Sequence, residues 1–218
     1  MTEADLGAYR AEWVKPLRLH YRDAEVCEIP PNGQGIAVLI ALGILENSNL
    51  TAFPVDSADS IHLQVEAMKL AFADVARHVS DIGSMRIDSS QLLDPDYLKK
   101  RAAEIDLDRA RFPDSGIEGA GGTVYLAAAD RDGMMVSFIQ SNFVGFGSGV
   151  VVAGTGISLN NRGSGFCLEE GHPNQVAGGK KPFHTIIPGF AFQGGEPLMS
   201  FGVMGAHMQG QGHVKRMT

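Results

Sequence analysis

Cysteine is almost missing: Cys27 and Cys167 are the only two in 218 residues. They form no close pair and no ligand spacing, so neither a disulfide framework nor a cysteine metal site is implied, and both read as small buried or half-buried thiols. An excess of basic charge is missing too. Lys and Arg number 18 against 25 Asp and Glu, a formal net charge of −7. That balance argues against nucleic acid or an anionic membrane as the main partner. No apolar run is long enough to cross a bilayer; "IAVLIALGIL", residues 36–45, reads as a core helix. The opening "MTEADLGAYRAEW" lacks the basic, apolar, small-residue order of a secretory signal. This favours the cytoplasm. A periplasmic or secreted location stays open, because both ends of the chain read as cuts through a longer protein. Internal repeats are absent. No Gly-Lys-Ser/Thr follows "GAHMQGQG", which excludes a phosphate loop. His184, His207 and His213 are too scattered for a metal site, and His20, His78 and His172 read as superficial. Asp94, Asp96, Glu104, Asp106 and Asp108 alternate with Lys99, Lys100 and Arg101, a solvated face and not a catalytic dyad.

What is present is an ordinary globular composition, 44% hydrophobic and 20% charged. Thr2, followed by Glu3, Ala4 and Asp5, opens a short helix. Residues 36–46 predict an apolar helix. Ile61, Val65, Met68, Phe72, Val75 and Val79 recur as one stripe of a second, with Ser57 or Ser60 as N-cap. Asp94-Pro95 opens a third through Leu98, Ala102 and Ile105. "DSGIEGAGG", residues 114–122, is a glycine-rich linker. After it, "TVYLAAAD" and "MMVSFIQS" read as strands joined at Asp132-Gly133, where both central positions are expected to take positive φ. "GISLN", "TIIPGFAF" and "LMSFGVM" are further strand candidates. Residues 1–122 thus read as mostly helical and residues 123–218 as antiparallel strands, in one integrated α/β (α+β) domain.

Gly121-Gly122-Thr123 stands at that change of composition. Taken alone, Gly-Gly-Thr is an ordinary loop entering a strand. It also meets the needs of an N-terminal nucleophile. Such a chain is cut before a Thr, Ser or Cys; the hydroxyl then attacks an amide, and the freed α-amine is its base. That amine titrates near pH ~7.7–8 when unperturbed. Glycine lets the preceding peptide bend toward the hydroxyl.

Around this threonine, "TVYLAAADRDGMMVSFIQSNFVGFGSGVVVAGTGISLNNRGSGF" and the later "GKKPFHTIIPGF" resemble the start of the small subunit of the γ-glutamyltransferase family. "EWVKPL", "YRDAEV", "IPPNGQG", "ILE" and "H..VEAMKLAFADV" resemble the last third of its large subunit, in the expected order. The resemblance implies a four-layer αββα N-terminal-nucleophile hydrolase sandwich, incomplete at both ends. It implies one precursor cut between Gly122 and Thr123 into large and small subunits, no cofactor, and a small amide or peptide substrate. By position it makes Thr123 the nucleophile and Ser141 the hydroxyl that bonds its amine. The N–H groups of Gly205 and Ala206 would stabilise the oxyanion, and Asn142 would help hold the substrate. Arg162 and Gly165 stand where γ-glutamyl-specific members have Gln and Asp for the substrate's ammonium; His184 and Thr185 stand where they have a Ser-Ser pair; Val124 replaces a second threonine. Arginine attracts a carboxylate and repels an ammonium. Arg162, His184 and Thr185 are therefore expected to bind substrate, and the acyl group to be acidic without an α-ammonium, unless Arg162 points to solvent. The resemblance leaves three readings: transfer or hydrolysis of a γ-glutamyl group from a glutathione-like amide, hydrolysis of other acidic acyl amides as in cephalosporin acylases, or an inactive truncated fragment.

Overall fold

A computed structural model describes residues 2–110 and 122–218. Most of the linker at 114–122, Gly121 included, lies outside the described residues. The elements in chain order are α1 (Glu3–Ala8), β1 (Leu17–Tyr21), β2 (Ala24–Glu28), α2 (Gly35–Glu46), α3 (Ala58–His78), α4 (Ser89–Leu92), α5 (Pro95–Ala102), β3 (Gly122–Ala129), β4 (Met135–Phe143), β5 (Gly189–Gln193), β6 (Glu196–Phe201) and α6 (Met208–Met217).

The core is built around α2. Every residue from Gly35 to Leu45 is buried, as befits a helix that is apolar on all sides. It packs between β1 and β2 on one side and α3, α5 and α6 on the other. α3 starts at the expected Ser57 cap, whose Oγ accepts from Ser60 N at 3.2 Å. Its buried face is turned from the expected stripe. Leu63, Ala67, Met68, Leu70, Ala71 and Val75 are inside, whereas Ile61 is 46% and Val65 39% exposed. The small Ala67 and Ala71 lie on this buried face, and α2 is among the elements that α3 packs against. α5 begins as expected, with Asp94 Oδ1 accepting from Tyr97 N at 2.9 Å and Pro95 in the first turn. It ends at Ala102, and Ile105 packs on the core from outside the helix.

The main sheet runs β1-β2-β5-β6, antiparallel throughout. The residues before the linker therefore supply two strands besides their helices. β2 buries residues on both faces, so it lacks the alternation that marks a half-buried strand. β5 and β6 join through Gly194 (φ +60°) and Gly195 (φ +88°), with Gln193 opposite Glu196. This is the two-residue turn with both positions at positive φ. At Asp132-Gly133 the expectation fails: only Gly133 has positive φ. That loop has three residues, closed by Asp130 N donating to Met134 O at 3.0 Å, while Asp130 Oδ1 accepts from Asp132 N and Met134 N. The aspartate side chain caps a longer turn. "GISLN" forms no strand; Ser158 makes an isolated bridge to Val151. "TIIPGFAF" becomes a strand only after Pro188, which has no N–H to donate.

β3 and β4 form a second sheet. Its inner face meets β6, where Ser137 Oγ donates to Phe201 O at 3.3 Å and the Tyr125 ring lies against Gly202. A helix layer, a four-stranded sheet and this ribbon follow the order of the αββα sandwich. The ribbon's outer face carries Val124, Leu126, Val136 and Phe138, all exposed.

Candidate active site

Thr123 stands at the head of β3. Gly122 pairs with Phe143 and Val124 with Gln140, so Thr123 faces two residues, Ser141 and Asn142, across a bulge in β4. Bulges of this kind re-aim side chains. Thr123 shares a strand face with Tyr125, the face that meets β6. Ser141 Oγ accepts from Phe143 N at 2.8 Å. This holds Phe143 at φ +79°, a backbone state rare for a bulky residue. Asn142 is half-buried, and its carbonyl accepts from Asn161 N at 3.2 Å.

Arg162 does not point to solvent. It is 7% exposed, and its guanidinium lies 4.7 Å from the centre of the Phe143 ring. Nη1 donates to Thr185 Oγ1 at 2.7 Å. Nε and Nη2 are buried with no protein partner, and no carboxylate pairs with Arg162 among the described residues. Burial lowers it to about 10, so it is charged at neutral pH. A buried charge without a counter-charge is costly, and an anion that meets it recovers that cost. Gly165, where an acid would be needed for an ammonium, has no room for one: a Cβ there would lie 2.7 Å from Phe183 O. His184 is lowered to about 4, first by burial and then by the Arg162 charge. It is therefore neutral at pH 7. It borders a cleft of about 300 Å³ between the 29–33 loop and β4, lined by Ile29, Pro30, Asn32, Ser137 and Ile139.

Gly205 and Ala206 follow β6 and lead into α6. Their φ angles are +136° and +49°. Their carbonyls accept from Met208 N and Gln209 N, the first turn of α6, while neither of their own N–H groups finds an acceptor among the described residues. Two adjacent free N–H groups are what a developing oxyanion requires.

Contacts join these residues into one chain: Ser141 to Phe143, Phe143 to Arg162, Arg162 to Thr185. The link from Thr185 to Ala206 is one that motif reading missed. Gln34 Nε2 donates to Thr185 O at 2.5 Å and to Ala206 O at 2.9 Å. A second buried polar group lies beside α2: Glu28 Oε1 and His213 Nδ1 are 2.7 Å apart, both side chains fully buried. Burial raises the Glu28 carboxyl, and His213 opposes that shift. For Gln34 the sequence held one signal, that it is buried, but not which groups it would meet. Gln34 directly precedes a helix that is apolar all round, so it has nowhere to go but inside. Cys27 and Cys167 are free, and no cluster of three or more His, Cys, Asp or Glu could hold a metal among the described residues.

The model of the Gamma-glutamyltranspeptidase family matches residues 1–218. The Glutathione hydrolase-like YwrD proenzyme of Bacillus subtilis is 39% identical over 218 residues, all of this chain and 41% of that protein. The Oxamate amidohydrolase proenzyme of Klebsiella pneumoniae is also 39% identical, with the same coverage of each chain. The crystal structure of cephalosporin acylase from Bacillus halodurans superposes with a TM-score of 0.92 at 49% identity, over 100% of this chain and 39% of that one. The chain thus spans about two fifths of the length of these relatives. With its fold, its order of motifs and its full-length match in agreement, the chain belongs to the gamma-glutamyltranspeptidase family, on its acylase-like side.

Proposed function

We propose that the protein is an N-terminal-nucleophile amidohydrolase, cut between Gly122 and Thr123, that acts on amides whose acyl group carries a carboxylate and no α-ammonium. The Thr123 hydroxyl attacks the amide carbonyl while its own freed α-amine takes the proton. The N–H groups of Gly205 and Ala206 receive the oxyanion, and Ser141 holds the amine. The amine product leaves with the returned proton, and water, or an amino-group acceptor, then releases the acyl group. Each oxyanion donor is worth ~3–4 kcal/mol in such a site. Asn142 and His184, uncharged at neutral pH, line the substrate's path.

One observation carries the choice of substrate: the buried Arg162, 2.7 Å from Thr185, with two nitrogens that no protein group meets. It attracts a carboxylate and repels the ammonium of a γ-glutamyl head. Oxamate, named for one relative, is itself an amide with a carboxylate and no ammonium. A γ-glutamyl substrate is the second reading, favoured by the relative named glutathione hydrolase-like.

The test uses the full-length gene product. Intact mass after expression is expected to show two pieces divided after Gly122, and Thr123→Ala a single, inactive chain. Self-cleavage or turnover persisting in Thr123→Ala would refute the nucleophile. A clear preference for γ-glutamyl over glutaryl anilide would refute the acidic-acyl reading and favour the second.

A further inference from the structure

We propose that Gln34 is a positioning residue that fixes the span between the Arg162–Thr185 end of the site and the Gly205–Ala206 end, and so sets the length of acyl group the enzyme accepts. The inference rests on the roles proposed above for Arg162 and Ala206.

Gln34 is fully buried at the head of α2. A single nitrogen, Nε2, has two hydrogens and meets two carbonyls, Thr185 O at 2.5 Å and Ala206 O at 2.9 Å. The orientation of the amide is forced, because the flipped form would set its oxygen against both carbonyl oxygens. Thr185 is thereby held twice, by its hydroxyl to Arg162 and by its carbonyl to Gln34. Ala206 sits at φ +49°, a left-handed state that non-glycine residues rarely adopt and that needs a fixed surrounding. Its carbonyl is shared by Gln34 and by Gln209 N at 3.3 Å.

The base of the bridge is itself hydrogen-bonded. Gln34 N donates to His184 O at 2.9 Å, His184 N to Asn32 O at 3.0 Å, and Asn32 Nδ2 to Pro182 O at 2.5 Å. The segment at 32–34 thus fastens the 182–185 segment before reaching across to Ala206. An acyl chain anchored by its carboxylate at Arg162 must place its carbonyl carbon at the oxyanion donors. The bridge holds that reach constant, so only one chain length meets both ends. Misplacement by about 1 Å in such a site is worth ~10²-fold in rate.

The experiment measures kcat and KM in the full-length gene product and in Gln34→Leu and Gln34→Met, on oxalyl, succinyl, glutaryl and adipyl anilides. The wild type is expected to prefer one length by about tenfold or more over its neighbours. Both variants are expected to be cut after Gly122 like the wild type, to lose about tenfold or more in kcat on the preferred substrate with little change in KM, and to spread their activity across lengths to within about threefold. Wild-type kcat and an unchanged length profile in either variant would overturn the proposal. So would loss of soluble protein in both, since a tie between two site loops does not govern the fold. A wild type that shows no turnover, or no preference for acidic acyl groups, instead counts against the parent reading.

Discussion

Residues 35–46 and residues 122–143 are both rich in aliphatic side chains, yet they meet water in opposite ways. In α2 every residue from Gly35 to Leu45 is buried. In the β3–β4 ribbon, Val124 is 65%, Leu126 47% and Phe138 48% exposed. Phe143 and Ala206, both at positive φ, and the unpaired Arg162 lie at the ribbon's end and the turn beyond β6. They are not alone: Arg22 and Asp56 also take positive φ, and Glu28, Gln209 and His213 carry buried polar atoms without a partner beside the helical core. What sets the proposed site apart is that a strained pair of residues and a buried cation meet there.

The matched pair Leu39 and Leu126 tests this division directly. Leu39→Ala, at a site with no exposure, is expected to cost ~2–5 kcal/mol in urea unfolding of the 218-residue chain. Leu126→Ala should stay within about 0.5 kcal/mol. A cost above ~2 kcal/mol at Leu126 would mean that the ribbon's outer face is covered in solution. Arg162→Met sharpens the comparison from the side of function. It should lower kcat/KM on acidic acyl anilides by ~10²-fold, leave a neutral acyl anilide nearly unchanged, and stabilise the protein by ~1–3 kcal/mol, because it removes a buried charge without a partner. A thermal melt and two substrates suffice.

The last comparison is in pH. His184 falls to about 4 in the folded protein, below the ~6.5 of the unfolded chain. The unfolded state therefore binds the proton first, and this contribution is complete above pH ~6.5 and lost as pH falls toward 4. The slope reaches ~1.4 kcal/mol per pH unit. Urea midpoints between pH 7 and 5 should fall less steeply in His184→Gln than in the wild type. Glu28, raised by burial, acts in the opposite sense, and the difference between the two proteins cancels it. Equal slopes would mean that His184 is more hydrated than its surroundings indicate.

Much of this was legible in the sequence. The caps at Ser57 and Asp94, the apolar α2 and the strand after the glycine linker follow from local chemistry alone. What escaped was decided by neighbours. The face that α3 buries is the one that meets α2 and α6, elements that lie before and far after it in the chain. β1 and β2 gain their meaning only from β5, some 160 residues later. Arg162 is buried because Thr185 and Phe143 arrive from distant segments. Gln34 bonds partners 151 and 172 positions away, and no local pattern records that.

The strand order has one more consequence. β1 and β2 precede Thr123, while β5 and β6 follow it, and Val26 pairs with Ala191 and Cys27 with Phe190 in the middle of the sheet. Under the proposed cut before Thr123, the protein would remain interlocked: each product would own half a sheet and could not complete it alone. The halves should co-purify through any native step and come apart only when denaturant melts the whole.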